Sequence, residues 1–343
     1  MKIGFSLKAM GIGPSPLRLQ GNAFSDMQAT AGRETPATPL PEPPRDVNWR
    51  ARSDASDCSH TEREEGRAHM DYRTIEVRKV TPGIGAEIYG VDLSKPLDDR
   101  QMEEVHSALL NHLVIFFHDQ KPSVEQHKEF GLRFGRLHRH PSAPALIAGH
   151  PEVYVIKADE TSTWVAGEDW HSDVSCDAEP PMGSILHVTT APPDGGGDTL
   201  FANMYLAYET LSAPIKAMLD GMAAIHDGEH VYRGRDGADD RGKSYPRAQH
   251  PIFRTHPETG KKCLFVNRFF TTGIVGLNAN ESAAILQMLY RHIETPEFSA
   301  RFKWRPNSIA FWDNRCVQHR AVWDYYPNKR YGHRVTICGD KPY

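Results

Sequence analysis

Trp170-His171-Ser172-Asp173-Val174 is the stretch on which the reading of the fold turns. In an extended strand alternate side chains share a face, so His171 and Asp173 point together and Ser172 points away. One imidazole and one carboxylate on a common face are two parts of a two-histidine, one-carboxylate metal face, an arrangement suited to iron(II) with open coordination positions. The third ligand has to come from a distant strand. His319 qualifies, directly after Phe311-Trp312-Asp313-Asn314-Arg315-Cys316-Val317-Gln318. His-X-Asp alone is common, and the chain holds 18 histidines, so a surface histidine beside a loop carboxylate is the plain alternative.

A second stretch, Arg330-Tyr331-Gly332-His333-Arg334-Val335-Thr336-Ile337, makes the metal reading stronger. Strand periodicity puts Arg330, Gly332, Arg334 and Thr336 on one face and Tyr331, His333, Val335 and Ile337 on the other. If the polar face points inward, two guanidiniums share the interior with the metal ligands. Buried cations need anionic partners, because desolvating them unpaired is costly. The guanidinium fork is also well shaped for a carboxylate or sulfonate. Two such forks suggest two anions, a cosubstrate and a substrate. A solvent-facing arginine ladder on an edge strand is the competing reading.

Outward from these stretches the texture is mixed. Ile75 to Val80, Val114 to Phe117, Val153 to Lys157, Ser184 to Thr190, Cys263 to Asn267, Ser308 to Trp312 and Arg330 to Cys338 read as strands, with turn signals from Gly83 to Gly90. Asp98 to Leu113 and Ser123 to Phe134 read as amphipathic helices, the second with a Ser123–Gln126 capping box. Tyr205 to Ala223 and Ala279 to Ile293 read as inserted helices. This order predicts a β-rich α+β fold with a sandwich or jelly-roll (double-stranded β-helix) core and flanking and inserted helices. A dinucleotide fold is excluded, since no strand leads into GxGxxG and Gly195-Gly196-Gly197 lacks that spacing.

Residues 1–69 differ from the rest, with Pro- and Gly-rich runs and then a charged stretch from Arg45 to Arg67. They read as a disordered extension or a mis-assigned start before Met70, leaving 70–343 as one domain. A formal net charge of −4 gives no nucleic-acid footprint. No apolar run is long enough to span a bilayer. Five cysteines without a CxxC pair fit a reducing, cytoplasmic setting. The expected partners are a small organic anion and further copies of the chain in a homo-oligomer, with no nucleic acid and no membrane.

With these residues in view, the chain resembles the taurine dioxygenase family of iron(II)- and 2-oxoglutarate-dependent oxygenases, which includes alkylsulfate and chlorophenoxyacid dioxygenases. The likeness runs from about Ile75 to the C-terminus. It rests on Gly83-Ile84-Gly85-Ala86, Gly90-Val91-Asp92-Leu93, Phe134-Gly135 with Leu137-His138, and Trp170-His171-Ser172-Asp173-Val174. It continues through Gly196-Gly197-Asp198-Thr199-Leu200-Phe201, His256-Pro257, Leu264-Phe265-Val266-Asn267, Phe311-Trp312-Asp313-Asn314-Arg315 and His333-Arg334-Val335-Thr336-Ile337.

The resemblance implies that His171, Asp173 and His319 ligate Fe(II), and that 2-oxoglutarate and O2 are cosubstrates. It implies that Thr199 and Arg330 bind the far carboxylate of 2-oxoglutarate. Arg334, His140 and the backbone of Val174 would hold a substrate anion, with Phe270 and Tyr232 as pocket aromatics. The pattern departs at Ala143, Ala166, Gly167 and Val231, which alters the amine-recognising side of a taurine pocket and leaves the anion side intact. A taurine-like sulfonate is therefore the expected substrate, with an alkylsulfate or chlorophenoxyacid as the alternative within the family. Outside it, a zinc hydrolase would have no use for a second buried arginine, and a small-acid binding protein would not need three ligands.

Overall fold

The computed structural model describes residues 71–140, 147–234 and 241–343. The expected N-terminal extension and the departure at Ala143 lie outside the described residues. In chain order the first elements are β1 (Glu76–Lys79), β2 (Ala86–Tyr89), α1 (Asp99–His112), β3 (Val114–Phe117), α2 (Val124–Leu132), β4 (Val153–Ala158) and β5 (Gly183–Thr190). Then come β6 (Thr199–Asn203), α3 (Met204–Glu209), α4 (Ala213–Leu219), β7 (Ala223–Asp227), α5 (Glu229–Tyr232), β8 (Arg247–Pro251), β9 (Phe253–Thr255), β10 (Lys262–Leu264) and β11 (Thr271–Ile274). The last are α6 (Ala279–Ile293), β12 (Ser299–Phe302), β13 (Ser308–Asp313), β14 (Val317–Ala321) and β15 (Arg330–Ile337). The fold is β-rich, and no helix among the described residues is long and apolar enough to cross a membrane.

A seven-stranded sheet, ordered β1-β2-β3-β13-β5-β15-β4, forms the frame. Its β3 is the apolar run Val114-Ile115-Phe116-Phe117, all four residues buried, as expected of a strand covered on both faces. Ile115 and Phe117 join Ile185, Phe311 and Val335 beneath Val105 and Leu109 of α1 and Phe130 of α2. Val114 and Phe116 point the other way, with Leu186, Val188, Ala310 and Trp312. There they meet a three-stranded sheet, β12-β6-β14. Phe116 stacks on Phe302 at 3.9 Å between ring centroids and meets Phe201 edge-on at 5.6 Å. Each such buried side chain is worth about 1.5–3 kcal/mol of transfer free energy.

The capping box on α2 forms as expected, with Ser123 and Gln126 reciprocally bonded. The helix read from Tyr205 to Ala223 is instead two helices and the start of β7. Pro214 sits in the first turn of α4, where its missing N–H costs nothing, but it could not have continued α3. The turn region Gly83 to Gly90 contains β2. Neither β6 nor β14 is legible as an apolar strand, because their inward positions hold Thr199 and His319.

Candidate active site

His171 and His319 face each other as an isolated antiparallel pair, with His319 N donating to His171 O at 2.8 Å and His171 N to His319 O at 3.1 Å. Their ring centroids are 4.1 Å apart. Both Nε2 atoms turn toward Asp173 Oδ1, at 3.7 Å from His171 and 4.0 Å from His319. One donor atom from each of the three side chains lies within 4.8 Å of the others, and all three residues are buried.

The convergence is as expected, but the backbone reason differs. Only His171 pairs as a strand would; Asp173 to Cys176 form a turn, and Val174 has a φ of 48°. A β-branched residue in the left-handed region is strained and persists only when its surroundings hold it there. Asn314 supplies much of that hold. Its Oδ1 accepts from Asp173 N at 2.6 Å, and its Nδ2 donates to Asp173 O and Pro181 O. Ser175 is bonded by Asn267 and His226, and Asp177 by His138. Ser172 points away, its Oγ donating to Val317 O.

The side chains are poised for a cation. His171 Nδ1 lies 2.8 Å from the Asp169 carbonyl, so that nitrogen donates and the Nε2 lone pair is left for a metal. Burial pushes the His319 imidazole well below its usual range, keeping it neutral and able to ligate. Burial would raise the Asp173 carboxyl, but the Arg334 guanidinium together with His319 and His171 outweighs it and holds Asp173 well below the carboxylate range. Gly167 matters sterically: at φ 80° a Cβ there would lie 2.8 Å from His171 Cε1.

The two arginines of β15 face inward as the alternation predicts, each about 5% exposed. They are not equivalent. Arg334 Nη1 donates to Asp173 Oδ1 at 2.6 Å, so its charge already has a partner. Arg330 lies about 13 Å further along the strand at about 3.3 Å per residue. Its Nε has no hydrogen-bond partner, and no carboxylate among the described residues pairs with it. It sits 5.4 Å from the ring of Trp304, whose Nε1 donates to Thr199 Oγ1 at 2.9 Å. Thr199, Trp304 and Arg330 thus form one cluster, closed by Gly197, where a Cβ would come within 3.2 Å of Arg330 Cδ.

The remaining candidates also assemble. His140 stacks on Tyr154 at 5.0 Å and meets Tyr232 edge-on at 5.5 Å, while Arg334 lies over Tyr154 at 5.1 Å. Val174, Tyr232 and Phe270 share a small apolar cluster with Val231 and Cys176. Phe269 joins that cluster to the His171 ring at 5.1 Å. Burial, aided by Arg334, pushes the His140 imidazole down to about 3, so it is neutral near pH 7. Sequence reasoning missed Tyr154, Trp304 and Ser184; the last donates to Asp173 Oδ2 at 2.7 Å. Alternation along β4 could have flagged Tyr154, whereas nothing local marks Trp304.

A family model described as the taurine catabolism dioxygenase TauD, TfdA family matches residues 76–336. An alpha-ketoglutarate-dependent sulfonate dioxygenase of Saccharomyces cerevisiae is 35% identical over 289 residues, covering 78% of this chain and 68% of that protein. The crystal structure of a taurine dioxygenase from Burkholderia xenovorans is 39% identical, with a TM-score of 0.69 over 79% of this chain and 91% of that one. The crystal structure of AAD-2 in complex with Mn(II) and N-oxalylglycine has a TM-score of 0.71 at 27% identity, over 79% of this chain and 99% of that one. Matched by that family model over most of its length and by a relative of 35% identity, the chain belongs to the TauD, TfdA family of dioxygenases.

Proposed function

We propose that the protein is an iron(II)- and 2-oxoglutarate-dependent dioxygenase that hydroxylates a taurine-like sulfonate, built on a double-stranded β-helix formed by the two face-to-face sheets. The observation that carries this reading is a buried three-ligand face contacted by Arg334, together with a second buried guanidinium on the same face of β15, Arg330, without a carboxylate of its own. His171, Asp173 and His319 would hold iron(II). Thr199 and Arg330 would hold the far carboxylate of 2-oxoglutarate. The donor set fits: two imidazoles and one carboxylate, the set suited to iron(II) with open coordination positions.

When bound, ferrous iron and 2-oxoglutarate supply oxygen activation, the 2-oxo acid leaving as succinate and CO2 while one oxygen atom enters a substrate C–H bond. This chain's own residues do the positioning. Arg334, His140 and the Val174 backbone receive the substrate anion, and Phe270 and Tyr232 wall its carbon chain. Asp173 already occupies Arg334, so an arriving sulfonate shares or takes over that guanidinium. Burial keeps bulk water from competing for it. If the hydroxylated carbon carries the sulfonate, the product collapses to an aldehyde and sulfite. The unpaired state of Cys176, Cys263, Cys316 and Cys338 supports a cytoplasmic setting.

Anaerobic addition of iron(II) and 2-oxoglutarate tests the reading by a weak visible charge-transfer band. A panel of sulfonates, alkylsulfates and chlorophenoxyacids, read by succinate and sulfite release, then tests the substrate. Absence of the band overturns the dioxygenase reading, and succinate coupled only to non-sulfonates overturns the substrate.

A further inference from the structure

Asp173 stands on a strained turn rather than in a strand. Asn314 pins its backbone, but a carboxylate torsion is intrinsically broad, so the side chain needs its own restraint. Arg334 contacts Oδ1, the oxygen that faces both histidines. The other oxygen, Oδ2, accepts a 2.7 Å hydrogen bond from Ser184 Oγ. Ser184 is fully buried in β5, directly opposite Thr336 of β15 in the sheet register. The two hydroxyl oxygens are 3.3 Å apart. A carboxylate has no hydrogen to give, so Ser184 donates to Asp173, and its oxygen is left to accept from Thr336. The result is a directed chain, Thr336 to Ser184 to Asp173, on the wall behind the three-ligand face.

We propose that Ser184, backed by Thr336, is a positioning residue that fixes the Asp173 carboxylate so that Oδ1 is presented to a metal shared with His171 and His319. The assignment rests on the reading of that face as a metal site. Its weight grows during the reaction: once a substrate anion draws Arg334 off, Ser184 is the hydrogen bond that still orients the carboxylate. Outer contacts of this kind commonly set metal affinity by about 10–100-fold.

Mn(II) titration of the metal-free full-length protein, alongside thermal unfolding, is the test. Ser184→Ala should weaken Mn(II) binding about 10–100-fold with the melting temperature largely kept. Ser184→Thr, which retains the hydroxyl, should bind within about threefold of wild type. Thr336→Val should cost less than Ser184→Ala, because it removes only the backing donor. Should Ser184→Ala fail to fold, Ser184→Cys keeps the volume while offering only a weak donor, and it should show the same loss. A folded Ala or Cys variant with wild-type Mn(II) affinity overturns the Ser184 assignment alone. Wild-type protein whose Mn(II) binding is absent, or survives His171→Ala, overturns the metal reading itself.

Discussion

Among the described residues, two buried clusters have donor atoms within 4.8 Å of one another: His171, Asp173 and His319, and His256, Asp313 and Cys316. By residue type either could hold a metal. In the second, both Asp313 oxygens are taken. Oδ1 accepts from Arg315 N and Nε, and Oδ2 accepts from Arg315 Nη2 at 2.6 Å and is bonded to His256 Nε2 at 3.0 Å. His256 Nδ1 accepts backbone N–H bonds from Glu258 and Thr259, so its Nε2 carries the hydrogen. Burial drives the Cys316 thiol well above its usual range, which keeps it protonated. The Asp313 cluster is a closed ion network. In the Asp173 cluster, by contrast, Arg334 and Ser184 contact the carboxylate, but the two imidazole Nε2 atoms that meet at the centre lie 3.7 and 4.0 Å from Asp173 Oδ1, beyond hydrogen-bond distance. A metal centre is distinguished by ligand atoms that other protein groups leave unspent, more than by which residues are gathered.

That contrast can be broken by mutation. The largest effect is expected from His171→Ala, Asp173→Ala and His319→Ala, each of which should abolish turnover and Mn(II) binding while the protein still folds. Full turnover in any one of them, with metal bound, would remove that residue from the face. Asp313→Ala should do the reverse in stability, leaving the buried Arg315 to half-exposed Glu258 and costing up to about 3–5 kcal/mol in urea unfolding. A stable Asp313→Ala protein that has lost only metal would show the second cluster to be a ligand set after all.

The arginine pair sharpens the comparison one step further. Arg330→Ala should raise the 2-oxoglutarate requirement by the cost of a lost charged hydrogen-bond pair, roughly 2–3 kcal/mol. Arg334→Ala should leave the charge-transfer band with 2-oxoglutarate intact, weaken the organic substrate and bind Mn(II) at least as tightly, since it no longer competes for Asp173 Oδ1. Arg334→Lys should recover only part of the substrate affinity, because an ammonium lacks the planar fork. The reverse division of effects between the two positions would exchange their roles.

Much of this was legible because strand alternation is a local signal. Val114 to Phe117 reads as a buried strand, and alternation along β15 shows that Arg330 and Arg334 share a face, though not that the face is inward. The small sheet was not legible, since Thr199 in β6 and His319 in β14 occupy positions where apolar residues would have given a pattern. Pro214 marks a break that the apolar periodicity from Tyr205 to Ala223 does not show. Asn314 lies within a family motif, but its clamp on Asp173 joins residues far apart in the chain, and the Ser184 contact joins residues on different elements. No local period carries contacts of that kind. His171 and Asp173 converge as alternation predicts, but the strand argument holds only for His171, because a turn with Val174 at positive φ brings Asp173 round to the same point.

The smallest expected effect is one of pH, and it too separates the clusters. Glu258 completes the Asp313 network, with Oε1 2.7 Å from Arg315 Nη1 and Oε2 2.9 Å from His106 Nε2. The His106 hydrogen bond, helped by Arg315 and opposed by partial burial, holds its carboxyl down from 4.5 to about 2. A depressed folded pKa means that the stabilising contribution is fully present above the unfolded value of 4.5 and is lost as pH falls through about 2. The side chain is 34% exposed, so solvent screening cuts the contribution to no more than about 1 kcal/mol. Glu258→Gln should therefore lower stability at pH 7 by about that amount and flatten the fall between pH 4.5 and 2, measured by urea unfolding at several pH values. Its Mn(II) affinity should match wild type, since Glu258 serves the closed network alone. A Glu258→Gln protein with unchanged acid sensitivity would remove Glu258 from the network, and one with weakened Mn(II) binding would show that the two clusters are coupled through Asn314.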